Sequence, residues 1–556
     1  MNTGRTATLP VTWGADDEEL QRDRDSNRRD HASLMGKPVA SSLRDLLVTG
    51  DPARALAAAG EALTRNPADA DAGFVAAVAL AEAGRVTDAL KAIGAVVRAV
   101  PGNTEYLAQQ ARILLLARRE GEALAAARAA VAVGSSDPLV LDTIGCVFAR
   151  LGAHEEALPL FEHAVAAQPD VVEYRFNLAS TLGFFGRVND AATQYEAIIA
   201  RDPVHGRAHL GLAGLKRKAT PDVVARIEAS LPKAADPLEQ VRLHYAAAAA
   251  LEDLREHDRA FVHLTQGNAI HRARLGYQFA DDEAVFDAVR RAFAGPLPLQ
   301  ADSTIKDAPL FIVGLPRTGT TLVDRIVSSH HAVTSAGELQ AMPLAAKQLA
   351  QTGSRMVLDP ETIGALSGAS AQVLGELYLG RARQNAGAQS QHFTDKFPLN
   401  FLYIGWILQA FPNAKVLCLR RGAMDSVWSN YKHLFAIESP YYRWSYDLMD
   451  TARYVLLFQR LMAFWRQRFP GRIHEVTYEW LVADQEANTR KMLAHCGLEW
   501  DAACLDFQNN TAAVSTPSAQ QVREPINARA VGRWRAYETQ LGAVMEFFTA
   551  NGIPLD

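Results

Sequence analysis

Residues Phe311–Thr321, FIVGLPRTGTT, could hold a phosphate. An apolar run meets Gly314; after four intervening residues comes Gly319, followed by Thr320 and Thr321. This is the glycine spacing of a loop that cradles nucleoside triphosphates, but the lysine that should follow the second glycine is missing. The basic residue stands ahead of the glycine, as Arg317. Backbone N–H groups from about 317 to 321, opening a helix, would form an anion nest. Thr320 and Thr321 add hydroxyl donors and Arg317 a fixed charge. Asp395 is the only near candidate to help hold magnesium, so ATP hydrolysis is poorly supported and a metal-free phosphosulfate fits.

The elements that must position such a loop follow a strand–helix alternation. Strands are expected at 310–314, 392–396, 414–421 and 473–479. Helices are expected after them at 320–329, 398–411, 422–434 and 480–495. Short apolar strands, each followed by a helix, imply a parallel sheet with helices on both faces. Ligands in such folds lie beyond the carboxyl ends of the strands. Arg317, Lys396, Arg421 and Tyr478 all fall there.

PRTGTT, residues Pro316, Arg317, Thr318, Gly319, Thr320 and Thr321, resembles the 5′-phosphosulfate loop of sulfotransferases that use 3′-phosphoadenosine 5′-phosphosulfate (PAPS). In that family an Arg eight positions ahead of a Ser binds the 3′-phosphate. RGAMDSVWS repeats the spacing with Arg421 and Ser429, and Asp425 midway. Arg420 precedes Arg421, but the interval favours Arg421. The closer likeness is to tyrosylprotein sulfotransferases and covers residues 309–540. Their Gly-Glu pair matches Gly337-Glu338, implying that Glu338 is the general base. Their catalytic lysine matches Lys396 in Lys396-Phe397-Pro398, and their adenine-facing aromatic matches Tyr478 in Tyr478-Glu479. SAQQVREP places Ser518 as a transition-state serine, and Arg533-Trp534 supplies a further 3′-phosphate contact. Without the resemblance, Glu338 reads as a surface glutamate at a helix start and Lys396 as a solvated strand-end lysine. Likewise Ser518 reads as a polar turn residue and Tyr478 as core packing. His330 and His331 are alternative bases that no second motif supports, and Asp425 reads as a supporting residue.

Upstream the chain repeats itself. Pro67, Pro101, Pro169 and Pro203 keep a period of 34, with Ser135 in the empty slot. Gly50, Gly84, Gly152 and Gly186 keep it too, with Arg118 in the gap, as do Ala55, Ala89, Ala123, Ala157 and Ala191. That period is the tetratricopeptide repeat's. Glycine would turn between two antiparallel helices, alanine allow their close approach, and proline end the unit. Residues 243–264 look like a further helix pair, with Ala260 in the small position. Such a solenoid offers a concave surface for a protein or peptide acceptor or partner; a spacer or a homodimer face is the alternative.

The 556 residues are 49% hydrophobic and 21% charged, with a net charge of −5. That balance advertises no nucleic-acid partner. No apolar leader is evident and no run is long enough to span a bilayer, so a cytoplasmic location is expected. Cys146, Cys418, Cys496 and Cys504 form no CxxC pair and read as buried thiols, with no metal site. The expected fold class is an α-solenoid of tetratricopeptide repeats followed by an α/β, P-loop-like sulfotransferase domain with a parallel sheet. The expected layout is a disordered charged arm at 1–40, the solenoid at 41–296, a linker at 297–308 and the sulfotransferase domain at 309–556. The expected function is sulfuryl transfer from PAPS, leaving the product PAP without a metal, to an acceptor hydroxyl such as a peptidyl tyrosine, with the repeats recruiting the acceptor. Alternatives are a glycan, lipid or small hydroxyl acceptor, with the repeats used for assembly, or a non-enzymatic repeat scaffold.

Overall fold

Helix pairs built on the 34-residue clock make up the first part of the computed structural model, which describes residues 43–48, 51–117, 119–215, 218–386, 392–437, 439–510, 522 and 524–556. The pairs run Ala70–Glu82 with Val86–Ala99, Thr104–Leu116 with Glu120–Val133, Pro138–Arg150 with His154–Ala167, and Val172–Phe184 with Val188–Arg201. Ala55, Ala89, Ala123, Ala157 and Ala191 are all fully buried, which is why no larger residue holds the slot. Gly84, Gly152 and Gly186 have φ of +74°, +77° and +72° at the inter-helix turns, where an L side chain would be strained. Gly50 and Arg118 lie outside the described residues. A second clock was not anticipated: Asp69, Asn103, Asp137 and His205 each cap a helix by accepting a backbone N–H. Their spacing is that of the repeat, but a cap signal is one polar residue per turn of chain and is easily overlooked beside an apolar pattern.

The described chain divides into two compact units: one reaches to Arg217 and includes Ala436–Ser439, the other comprises Lys218–Phe435 and Pro440–Asp556. The second unit opens with helices, among them α1 (Pro237–Asp253) and α2 (His257–Leu275). Their turn has the repeat's geometry with arginine in the glycine slot. Arg255 has φ +62°, and Glu256 N donates to Leu251 O at 2.9 Å, as Arg85 N does to Leu80 O at 2.8 Å.

Five parallel strands follow: β1 (Leu310–Gly314), β2 (Val333–Ser335), β3 (His392–Asp395), β4 (Lys415–Arg420) and β5 (Ile473–Thr477). Their order is β2-β3-β1-β4-β5. Every residue of β1 is buried, as a central strand covered on both faces requires. Leu310, Ile312, Leu417 and Leu419 pack with Val323, Ile326 and Leu493 on one side. On the other, Phe311 meets Tyr378 at 5.5 Å between ring centroids. The sequence pattern marked four of these strands. β2, a three-residue edge strand, carries too little pattern to be read. The stretch after it, which showed no pattern, holds helices Ala341–Ala350, Pro360–Ala365 and Ala371–Ala386. Helix α3 (Thr320–Ser328) leaves the loop after β1, and α4 (Ala423–Tyr431) leaves β4.

Candidate active site

The loop between β1 and α3 is held in an unusual backbone shape. Arg317 has φ +64° and Gly319 φ +104°. A Cβ on Gly319 would lie 2.8 Å from the Tyr478 ring, so the glycine and the tyrosine fit one another. Two carbonyls of the loop are drawn outward: Asn430 Nδ2 donates to Pro316 O at 3.0 Å, and Arg421 Nη1 donates to Arg317 O at 3.0 Å. A trans peptide carries its N–H opposite its C=O, so these bonds turn the amides of Arg317 and Thr318 the other way. Thr318 Oγ1 is committed to the loop itself, donating to Leu315 O at 2.7 Å. Thr320 and Thr321 are buried at the start of α3.

The charges around the loop are mostly positive. Burial, and then the like charge of Arg421, push the Arg317 guanidinium below its ordinary value. Arg421 stacks over the Tyr478 ring at 5.2 Å, donates to Ala530 O and lies 3.7 Å from Asp425. Its Nε is buried with no partner among the described residues. Asp425 accepts from Gly532 N at 2.6 Å and Trp534 N at 3.4 Å, gripping the backbone on either side of Arg533. Ser429 lies two turns along α4 from Arg421, on the same helical face as Asp425, and its hydroxyl donates to Ser426 O at 3.4 Å. Glu479 accepts from Gly422 N at 3.0 Å, fixing the entry to α4. Half-buried beside them, His433 is pushed well below its ordinary value by desolvation and by the charges of Arg317 and Lys432.

At the neighbouring strand ends, Lys396 Nζ donates to Glu338 Oε1. Lys396 is almost wholly buried, while 41% of the Glu338 side chain is exposed. β2 and β3 bring the two together, and the ladder continues past both strands: Ala336 N donates to Thr394 O at 2.9 Å and Lys396 N to Gly337 O at 3.0 Å. Buried Asp324, from α3, accepts from Ser335 Oγ at 2.9 Å and Thr394 Oγ1 at 2.5 Å. It thus ties both strands to the loop's helix. Aromatic rings gather nearby: the Tyr442 hydroxyl is pushed up by burial and then by the Glu338 charge. Phe435 lies 4.4 Å from Tyr442, and Phe397 6.0 Å from Tyr441.

Asp395 suits a metal poorly. Burial pushes its carboxyl up to about 8, and it accepts from Tyr378 Oη at 3.0 Å and Asn400 Nδ2 at 3.2 Å. His330 and His331 lie beyond the far end of α3, a nine-residue helix of roughly 13 Å at the usual rise. His331 pairs there with Asp501 at 2.9 Å, so neither histidine shares the strand-end pocket. Ser518 lies outside the described residues. The sequence reading missed Asp324, Asn430 and Lys432, and named Glu479 only as the neighbour of Tyr478. Each acts on a partner far along the chain, and no local pattern marks it.

Residues 309–502 match the sulfotransferase family, and residues 43–104, 77–138 and 176–216 match the tetratricopeptide repeat. An uncharacterised protein of Aquifex aeolicus is 29% identical over 400 residues, 70% of this chain and 52% of its own. Protein-tyrosine sulfotransferase 1 of Danio rerio is 27% identical over 247 residues, 41% of this chain and 66% of its own. The chain therefore spans about half to two thirds of the length of these relatives. Among solved structures, the sulfotransferase domain of the Synechococcus olefin synthase is 18% identical, covering 45% of this chain and 98% of that one, at a TM-score of 0.30.

Proposed function

The chain carries a sulfotransferase-family domain and tetratricopeptide repeats, and from that premise we propose that it transfers a sulfuryl group from PAPS to an acceptor hydroxyl. The observation that carries the reading is the Lys396–Glu338 pair at adjoining strand ends, beside a loop lined by two like-charged arginines. The residues fit a polyanion. An anion between Arg317 and Arg421 relieves their repulsion, the buried Nε of Arg421 offers a donor, and Gly319 leaves room for the Tyr478 ring. Arg421, Ser429 and Arg533 would hold the 3′-phosphate, Pro316–Thr321 the 5′ end, and Tyr478 the adenine.

PAPS supplies a sulfuryl group joined to a good leaving group. As the acceptor oxygen bonds to sulfur, Glu338 takes its proton. Lys396 stabilises the charge left on the oxygen that parts from sulfur, and the products are the sulfated acceptor and PAP. Ser518 would donate to that same oxygen, a role that rests on the family resemblance. A peptidyl tyrosine is the acceptor we favour. Its support is the name of the Danio rerio relative and the aromatic rings near Glu338. The repeats would recruit the peptide. A glycan, lipid or small hydroxyl acceptor, with repeats used for assembly, is the rival. Among the described residues no helix is long and apolar enough to cross a membrane, and all four cysteines are buried thiols outside any disulfide. The buried thiols suit a reducing compartment such as the cytoplasm.

The test is turnover of labelled PAPS with a tyrosine peptide and with cell lysate. Glu338→Gln should lower turnover about 100-fold or more, the usual weight of a general base, while PAP affinity in calorimetry stays near that of the unaltered protein. A near-normal rate would move the base elsewhere, and label on glycan or small molecule alone would favour the rival acceptor.

A further inference from the structure

Glu252, in the last turn of α1, reaches two elements of the nucleotide pocket at once. Its carboxylate accepts from Lys432 Nζ at 3.1 and 2.9 Å, and from Tyr537 Oη at 2.9 Å. Lys432 is the residue that ends α4, the helix carrying Asp425 and Ser429. Tyr537 ends the 3₁₀ turn Arg533–Tyr537, whose first residue is Arg533. Asp425 grips that turn at its beginning; Glu252 grips it at its end. Aromatic packing follows the same line. Tyr537 lies 3.8 Å from Trp428 of α4, and Phe261 of α2 lies parallel to Trp428 at 6.2 Å. We propose that Glu252 is a positioning residue for the 3′-phosphate, acting through Lys432 and Tyr537, so that the helical hairpin α1–α2 is a working part of the nucleotide site. The proposal rests on the PAPS reading above.

Charge gives the arrangement its purpose. Desolvation pushes the Lys432 ammonium down, and the charges of Arg533 and Arg317 add to that, against the opposing pull of Glu252. Burial likewise pushes the Glu252 carboxyl up, but Lys432, Tyr537 and Arg533 outweigh it and leave it below its ordinary value. A cluster of cations meant for a phosphate repels itself before the phosphate arrives. A fixed carboxylate bonded to Lys432 and Tyr537 holds the cluster assembled, so less reorganisation is needed on binding. The carboxylate comes from a hairpin with the repeat's own turn, which no motif of the sulfotransferase domain would reveal.

The experiment measures PAP and AMP affinity by calorimetry on the full chain, unaltered and as Glu252→Gln and Tyr537→Phe. AMP lacks the 3′-phosphate, so the ratio of the two affinities isolates that end of the site. Glu252→Gln should weaken PAP about tenfold, on the order of 1.4 kcal/mol, and leave AMP unchanged. Tyr537→Phe should shift the ratio the same way by a smaller factor. Equal weakening of both nucleotides would make Glu252 a merely structural residue, and unchanged or tighter PAP binding would overturn the proposal outright. If Glu252→Gln fails to fold, the ratio in Tyr537→Phe decides. Failure of the unaltered protein to prefer PAP over AMP would instead sink the PAPS reading, and this inference with it.

Discussion

Gly319 shows what one residue can decide. Its φ of +104° is foreign to side-chain-bearing residues, and a Cβ would meet the Tyr478 ring at 2.8 Å. Gly319→Ala must therefore strain the loop or push the ring aside. The first costs about 1–3 kcal/mol, and the second disturbs the aromatic wall over which Arg421 lies. The expected outcome is PAP affinity lowered about tenfold or more with a reduced melting temperature, read by calorimetry and thermal unfolding. Unchanged affinity would mean that Tyr478 is packing alone. Asp142 makes a different single-residue case. Buried in the solenoid, it accepts from Asn177 Nδ2 at 2.9 Å, and burial pushes its carboxyl up from 3.8 to about 8. The folded state therefore keeps a proton that the unfolded chain releases. Its contribution to stability is complete below about pH 4 and is lost as pH rises towards 8. Asp142→Asn should keep the shape and flatten the fall in melting temperature across that window. An unaltered slope would show that Asp142 ionises normally.

At the scale of elements, the sheet explains how much of the site could be read in advance. β1 and β4 are short, mainly apolar runs and β3 and β5 short mixed ones, each handing the chain to a helix, and their ends carry Arg317, Lys396, Arg421 and Tyr478. That alternation is local and leaves a mark on the sequence. Glu338 is another matter. It hangs from β2, whose three residues gain their strand character from pairing with β3 and not from any pattern of their own. Only the resemblance pointed to it. The supports were illegible for a related reason. Asn430 reaches Pro316 across 114 residues and Glu252 reaches Lys432 across 180. A hydrogen bond between distant residues has no period, so neither partner stands out from its neighbours. The repeat is the opposite case: the alanine and glycine series recur because every helix pair meets the same steric demand. The capping slot, held by Asp69, Asn103 and Asp137, by His205, and by Val171 with no side-chain cap, marks how far that demand tolerates substitution.

For the whole molecule, the position of Glu252 changes where the chain should be cut. Residues 218–556 retain α1 and α2, and with them the contacts to Lys432 and Tyr537. Such a protein should bind PAP as the full chain does. Beginning instead at 309 removes Glu252 and uncovers Trp428 and Tyr537, so PAP binding should weaken about tenfold or the protein should become insoluble. If the earlier repeats recruit a peptide acceptor, residues 218–556 should also lose most activity on a protein acceptor and keep it on a small hydroxyl compound. Assays of all three proteins on both acceptors decide this. Equal activity of 218–556 and the full chain on the protein acceptor would assign the repeats to assembly. The arginine in the glycine slot of the α1–α2 turn bears on the ancestry of this arrangement. Hairpins coded on one clock can be duplicated or deleted in whole units during descent, and the array before Lys218 is open to such change. The α1–α2 hairpin is not. Its turn still keeps the shape of a repeat, but losing or copying it would carry away, or displace, a carboxylate tied to Lys432 and Tyr537. Lineages of this chain should therefore differ in the number of early repeats while holding this last hairpin constant.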